Sequence, residues 1–243
     1  MIAASIALAW VLIQVALQIA ITLTCSAIAL RVFWMPRNAD FTLQATSDWR
    51  FRRAVVFAVD IADFTAAERD DEVQLALRDA LYRVLIDAFD AAGVAWEQCL
   101  VEDRGDGVLV IMPAQLPIAT VIDLLLIFLG AGLRRHNRLS REVAHIHLRA
   151  ALHVGDVHRD AHGVAGNTVN LLFRLLDALV LKEALISQGT EVVLIVSDQM
   201  YEQAVRRNPE LVNPPVYRPV IAATKKTRAR AWIRTATADC ARR

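Results

Sequence analysis

The sequence predicts an α+β fold: a βαββαβ sheet with extra strands at its C-terminal end, preceded by one transmembrane helix. Three observations predict it. The chain opens on a long apolar run without charge; a β-patterned run, Ala54–Val59, precedes a helix-patterned one; and two β-patterned runs flank Asp103-Arg104-Gly105-Asp106-Gly107. Asp-Gly between such runs signals a hairpin, and strand, helix, hairpin, helix, strand in that order is a ferredoxin-like plan.

The first element is the apolar one. Ile2 to Leu30 holds Gln14 and Gln18 but no charged residue, and at ~1.5 Å per residue this spans a bilayer core with tilt. Arg31 closes it, and Trp34, Arg37, Trp49, Arg50, Arg52 and Arg53 follow. Positive charge and Trp at that end imply a single-pass anchor in the cell membrane, with the rest of the chain cytoplasmic. The competing reading is a cleaved signal peptide, for which Ala27-Ile28-Ala29 is a small-x-small site, but the basic start is missing. The division is therefore 1–30 transmembrane anchor, 31–50 juxtamembrane linker broken by Pro36, 51–235 catalytic domain and 236–243 tail.

Composition limits the function classes. A formal charge of +1 gives no electrostatic case for nucleic-acid binding. The hydrophobic fraction of 56% and mean hydropathy of +0.36 are high, and the anchor accounts for the excess. Cys25, Cys99 and Cys240 are scattered, which suits a reducing cytoplasm and argues against a disulfide framework or a structural zinc. His145 and His147 would share a strand face, with His153, His158 and His162 nearby. A zinc site needs three or four converging ligands, and scattered surface and strand histidines are the simpler reading.

The domain then runs in order. Ala54–Val59 is a strand buried on both faces, ending in Asp60. Ala66 to Ala92 is a helix with Val73, Leu77, Leu81, Val84, Leu85, Ala88 and Phe89 at three- and four-residue spacing, stopped by Gly93. Val94–Glu102 and Val108–Met112 are the hairpin strands, and Pro117–Asn137 is the second helix. Ile146–Val154 is a strand with Val157 starting or continuing a neighbour, Gly163–Gly166 a turn, and Asn167–Ser187 one helix. Glu191–Val196, a short helix at Asp198–Arg207, and strands near Val216–Ala222 and Ala231–Ile233 complete the chain.

In this plan the end of the first strand and the hairpin tip are neighbours, so Asp60 and Asp106 face each other. Two carboxylates there repel unless a hard cation sits between them, and Mg²⁺ or Mn²⁺ suits oxygen ligands. The helix after Gly166 is apolar nearly all round except for Asn170, Arg174 and Asp177, at i, i+4 and i+7. That stripe is either a solvated face or a device for phosphoryl oxygens, for which an Arg beside an amide is suited.

The boxes that carry these residues resemble the class III nucleotide cyclases, the catalytic domain of adenylate and guanylate cyclases, over roughly residues 51–235. Asp60-Ile61-Ala62-Asp63-Phe64-Thr65 looks like the family's D-I-x-G-F-T box, with Asp63 where glycine is usual. Arg104-Gly105-Asp106-Gly107 is similar to its G-D-G hairpin, and His153-Val154-Gly155-Asp156-Val157 to its H-x-G-x-V strand. Gly166-Asn167-Thr168-Val169-Asn170, with Arg174 after it, matches its G-N/D-x-V-N-x-x-x-R helix start. The resemblance implies two Mg²⁺ or Mn²⁺ ions held by Asp60 and Asp106 with the Ile61 carbonyl. It implies that Asn170 and Arg174 act across a homodimer interface on the nucleotide and the transferring phosphoryl group. Phe64 and Thr65 count with the substrate-binding residues, and Lys225 or Lys226 is the candidate for the terminal phosphates.

Two departures bear on the base. The family's first base-reading position is Glu102 here, where adenylate cyclases usually have Lys and guanylate cyclases Glu; the second falls on Gly163, which has no side chain. Asp103-Arg104 also replaces a small uncharged pair. Glu102 leans weakly to GTP, with ATP or a pyrimidine triphosphate still open. The function implied is a membrane-anchored cyclase making a 3′,5′-cyclic nucleotide and pyrophosphate at a homodimer interface. The alternative is a catalytically impaired module that binds nucleotide and serves as a signalling or interaction domain.

Overall fold

In the computed structural model, β1 (Phe51–Ile61) is the axis of the sheet. The structure describes residues 50–113, 116–224 and 227–235; these lie in one of the two compact units of the chain, Ala45–Arg243. The anchor and linker expected over 1–49, and Lys225 and Lys226, lie outside the described residues. Among the described residues no helix is long and apolar enough to cross a membrane.

The elements follow as α1 (Asp71–Ala91), β2 (Leu100–Asp103), β3 (Gly107–Pro113), α2 (Ile118–Leu139), β4 (Leu148–Asp160) and β5 (Gly163–Ala165). Then come α3 (Asn167–Leu176), α4 (Leu179–Gln188), β6 (Val192–Ser197), α5 (Asp198–Met200, running into a π-turn at Tyr201–Arg206), β7 (Arg218–Thr224) and β8 (Thr227–Thr235). The sheet order is β2-β3-β1-β4-β6-β8-β7, with β5 on the end of β4. Its first four strands have the βαββαβ arrangement expected, and β6, β8 and β7 are the C-terminal extension. β1 is antiparallel to β3 and to β4, whereas β4 and β6 are parallel.

Both faces of β1 are covered, which is why it reads as an unbroken apolar run. Val55, Phe57, Val59 and Ile61 pack with Leu81, Leu85 and Phe89 of α1 and Leu125 and Leu129 of α2. Ala54, Val56 and Ala58 pack with Leu172 and Leu175 of α3 and Leu181 of α4. Each such large side chain contributes roughly 1.5–3 kcal/mol of transfer free energy. Asp60 continues the Ala54–Val56–Ala58 alternation, so it belongs to the face that carries α3.

Several elements differ from the periodicity reading. α1 starts at Asp71, because the Asp70 carboxylate accepts from the Val73 amide and caps it there. The strand expected from Val94 shrinks to Leu100–Asp103, since a 3₁₀ turn at Trp96–Gln98 seats Trp96 edge-on against Phe89. The helix expected through Ser187 breaks at Asp177–Ala178, which lets α4 bury Leu181, Ala184 and Leu185 on its own axis. The turn expected at Gly163–Gly166 is a strand on the end of a β4 longer than its apolar run, and His145 and His147 precede β4 rather than sharing its face.

Candidate active site

The two carboxylates come together through main-chain geometry. Asp60 is register partner of Gly107, and the Ile61 amide donates to the Asp106 carbonyl at 2.9 Å. A Cβ on Gly107 would stand 2.1 Å from the Val59 carbonyl oxygen. Glycine is therefore the only residue that lets the hairpin close on β1. From α1, Arg78 donates to the Gly105 carbonyl and pairs with Asp103 at 2.7 Å, and Tyr82 donates to the same carboxylate at 2.8 Å. Burial raises the pKa of Asp103, but the Gly105 amide, Arg78 and Tyr82 outweigh that and hold it below the usual carboxylate range.

Asp60 is buried, at 9% exposure, and it is not alone. Arg149 on β4 donates from Nε to Oδ1 at 2.6 Å and from Nη2 to Oδ2 at 2.9 Å. Burial pushes the Asp60 pKa up, Arg149 pulls against it, and the nearby charges of Asp106 and Asp177 push the same way as burial; the net direction is up. Burial, the largest cause, disfavours the charged carboxylate beyond what Arg149 offsets, and a cation beside it would favour the charged form. Asp60, Asp106 and the Ile61 carbonyl are all oxygen donors, which fits a hard divalent ion. Among the described residues no group of three or more His, Cys, Asp or Glu side chains converges to hold a metal, so further ligands would come from substrate and water. Arg149 escaped the sequence reading, since an arginine at the start of an apolar strand gives no signal until its register is known.

The loop after β1 is fastened by a second arginine that the sequence reading missed. Arg69 donates to the carbonyls of Ala62 at 3.2 Å, Asp63 at 3.1 Å, Val143 at 3.1 Å and His145 at 2.9 Å. Asp63, standing where the D-I-x-G-F-T pattern has glycine, takes φ +55, a left-handed conformation that Asp tolerates better than most residues. Phe64 turns inward and packs partly buried against the core, while Thr65 is exposed.

A second cluster gathers at the other candidate positions. Glu102 and Gly163, far apart in sequence, are adjacent: a Cβ on Gly163 would lie 2.7 Å from Glu102 Oε1. Glu102 Oε1 accepts from the Val164 amide at 2.9 Å, and Oε2 accepts from Arg104 Nη2 at 2.6 Å. Arg104 lies over the Phe173 ring, 5.3 Å from its centroid. Asn170 and Arg174 of α3 and Asp177, which caps its C-terminus, form an exposed stripe. α3 is seated by the H-x-G-x-V strand: a Cβ on Gly155 would be 2.5 Å from Thr168 Oγ1, which itself donates to the Asp156 carbonyl at 2.7 Å. His153 of that box is buried and bonded to Ser197 Oγ at 2.7 Å, and burial, then Arg53, lowers its pKa to about 4.

Comparison with solved structures identifies the architecture. The chain has the fold of the class III nucleotide cyclase catalytic domains. It is similar to the guanylyl cyclase Cya2 at 19% identity and a TM-score of 0.53, over 75% of this chain and 90% of that one. An adenylate/guanylate cyclase/hydrolase from Silicibacter pomeroyi gives 19% identity and a TM-score of 0.53 over 77% and 98%. The catalytic core of a rhodopsin-guanylyl cyclase with converted specificity, in complex with ATPαS, gives 17% and 0.53 over 77% and 97%. No family model and no curated protein matches the chain.

Proposed function

We propose that the chain is a membrane-anchored nucleotide cyclase that converts a nucleoside triphosphate to a 3′,5′-cyclic nucleotide and pyrophosphate. The juxtaposition of Asp60 and Asp106, fixed by the Ile61–Asp106 main-chain bond, carries the reading. Asp60, Asp106 and the Ile61 carbonyl would hold two divalent ions, Mg²⁺ or Mn²⁺, which when bound supply Lewis acidity toward the phosphoryl and ribose oxygens. Arg149, beside Asp60, steadies that carboxylate and offers donors to triphosphate oxygens. Asn170 and Arg174 bind and orient the α-phosphate from a second copy of the chain, so the site needs a homodimer. Lys225 or Lys226 would neutralise the terminal phosphates, and Phe64 and Thr65 would support the ribose and phosphate side of the site. The helix over 1–30 keeps the protein at the cell membrane, with its catalytic domain cytoplasmic, and raises the effective concentration for pairing.

The test is the full chain in detergent with Mn²⁺ and each of the four nucleoside triphosphates. A cyclic product that Asp106→Ala removes supports the reading; no cyclic product from any triphosphate sinks it. One observation favours a second reading, a module that binds nucleotide without turnover. Both carboxylate oxygens of Glu102 and both of Asp60 already accept from protein donors. Saturable triphosphate binding without product would select it. A dilution series of the full chain against one lacking 1–30 reads the anchor: loss of specific activity on dilution only in the truncated protein marks a dimer-promoting role.

A further inference from the structure

We infer that Arg104, rather than Glu102, presents the edge that reads the nucleobase, and that the pocket takes a base with two adjacent hydrogen-bond acceptors, guanine or cytosine. The inference rests on the nucleotide-binding reading above, and deepens it.

Glu102 is turned inward. Its Oε1 accepts from the Val164 amide at 2.9 Å and its Oε2 from Arg104 at 2.6 Å. Gly163 explains the posture: at φ +124, with a would-be Cβ 2.7 Å from Oε1, it is the residue that lets the carboxylate dock onto β5. Gly163 therefore seats Glu102, and a side chain there would unseat it.

Arg104 is the group left facing outward. Its side chain is 39% exposed, anchored at one nitrogen by Glu102, with its Cζ 5.3 Å from the centroid of the Phe173 ring. The ion pair engages Nη2, and the planar guanidinium has further N–H donors at Nε and Nη1. Phe173 is followed in α3 by Arg174, so the fork rests on the helix that carries the candidate phosphoryl-binding residues.

Chemistry then selects the base. A guanidinium fork pairs with two neighbouring acceptors, as in guanine N7 and O6. Cytosine offers the same pattern at N3 and O2. Adenine sets the N6 donor beside N7, and uracil sets the N3 donor between its two oxygens, so neither matches. One such bidentate pair gives roughly tenfold discrimination or more.

The experiment uses the full chain with Mn²⁺ and measures displacement of a fluorescent nucleotide by the α,β-methylene analogues of GTP, CTP, ATP and UTP. The GTP and CTP analogues are expected to bind about tenfold tighter than the other two. Arg104→Gln should erase that preference by weakening only GTP and CTP, and Arg104→Lys, which keeps the charge but loses the fork, should erase it too. Phe173→Leu should reduce it, giving an independent variant that leaves Arg104 in place. Equal weakening of all four analogues by Arg104→Gln would overturn the inference. So would preference for ATP or UTP, or a preference kept by Arg104→Lys. Selective binding without cyclic product sinks the cyclase reading and leaves this inference standing; cyclisation without the preference does the reverse.

Discussion

The two ends of the β2–β3 hairpin are held by different kinds of bond. At the Asp106–Gly107 end the chain is fixed by main chain: an amide–carbonyl bond to Ile61 and an approach to Val59 that admits no Cβ. At the Glu102–Arg104 end side chains are added to the strand ladder and to the Arg104 amide on the Gly107 carbonyl: an ion pair, a cation over Phe173, and a carboxylate on the Val164 amide. Main-chain constraints leave one acceptable residue at a position, so they write a motif. Side-chain constraints can be met by several sets of residues, so that end of the hairpin is free to change its ligand while the fold stays put.

The largest expected effect breaks the first end. Gly107→Ala puts a methyl 2.1 Å from the Val59 carbonyl, and the nearest atoms are all backbone. Relief requires the hairpin to leave β1, at a cost of more than about 4 kcal/mol. Chemical denaturation would show a lost or shifted transition, and a change under about 1 kcal/mol would mean the hairpin adjusts freely. The matching change at the other end, Arg104→Gln, should alter stability by about 1 kcal/mol or less, as exposed ion pairs do.

Next is Arg149→Met, which keeps bulk on β4 but strips the buried Asp60 of its partner. Removing one member of such a pair costs about 3–5 kcal/mol, because the remaining charge is stranded. Mn²⁺ should restore part of the loss if Asp60 and Asp106 hold a cation, and thermal unfolding with and without Mn²⁺ measures it. A variant destabilised to the same degree with and without the ion would separate Asp60 from metal binding. The contrast with Arg104 is then direct: two arginines on carboxylates, one structural and one surface-facing.

A third region calibrates both. His153 sits on β4 away from the hairpin, and its pKa falls to about 4 through burial and then Arg53. In the unfolded chain it titrates near ~6.5. As pH falls from about 6.5 to about 4 the unfolded state takes up the proton and the native state does not, so stability declines through that window. The loss is on the order of 2–3 kcal/mol at the bottom of it. His153→Gln should flatten the slope of stability against pH there. An unchanged slope would assign it to other groups.

This division also explains what was legible in the sequence. The βαββαβ core, both carboxylates and the α3 stripe were readable because periodicity and turn glycines are main-chain signals. Gly107 owes its place to backbone approach and Gly155 to the Thr168 side chain against it, and their boxes are two of the four recognised. Arg149 and Arg69 were not legible, since each acts on groups distant in sequence through a register that no local pattern reveals. Glu102 was read as facing substrate, whereas its bond to Val164 depends on β5, a three-residue strand read as a turn. The break between α3 and α4 was missed because Asp177-Ala178 holds neither glycine nor proline, and tertiary packing alone ends the helix.

The smallest effect tests the main-chain end at the one position where this chain departs from the glycine pattern. Asp63 adopts φ +55, and its carbonyl accepts from the Ala66 amide and from Arg69, both at 3.1 Å. Those bonds belong to the backbone, so any residue that tolerates the left-handed conformation keeps them. Ala tolerates it poorly, and Asp63→Ala should cost about 1 kcal/mol. Glycine relieves the strain but widens the unfolded ensemble by about 0.4–1 kcal/mol, so Asp63→Gly should fall within about 0.5 kcal/mol of the parent. Denaturation midpoints at constant slope resolve the two. If Ala and Gly behave alike, the conformation at 63 is not what the position selects for, and the Asp63 side chain itself must be sought in the site. If Ala alone is destabilised, the loop is fixed by its backbone and the Asp is a tolerated stand-in for glycine.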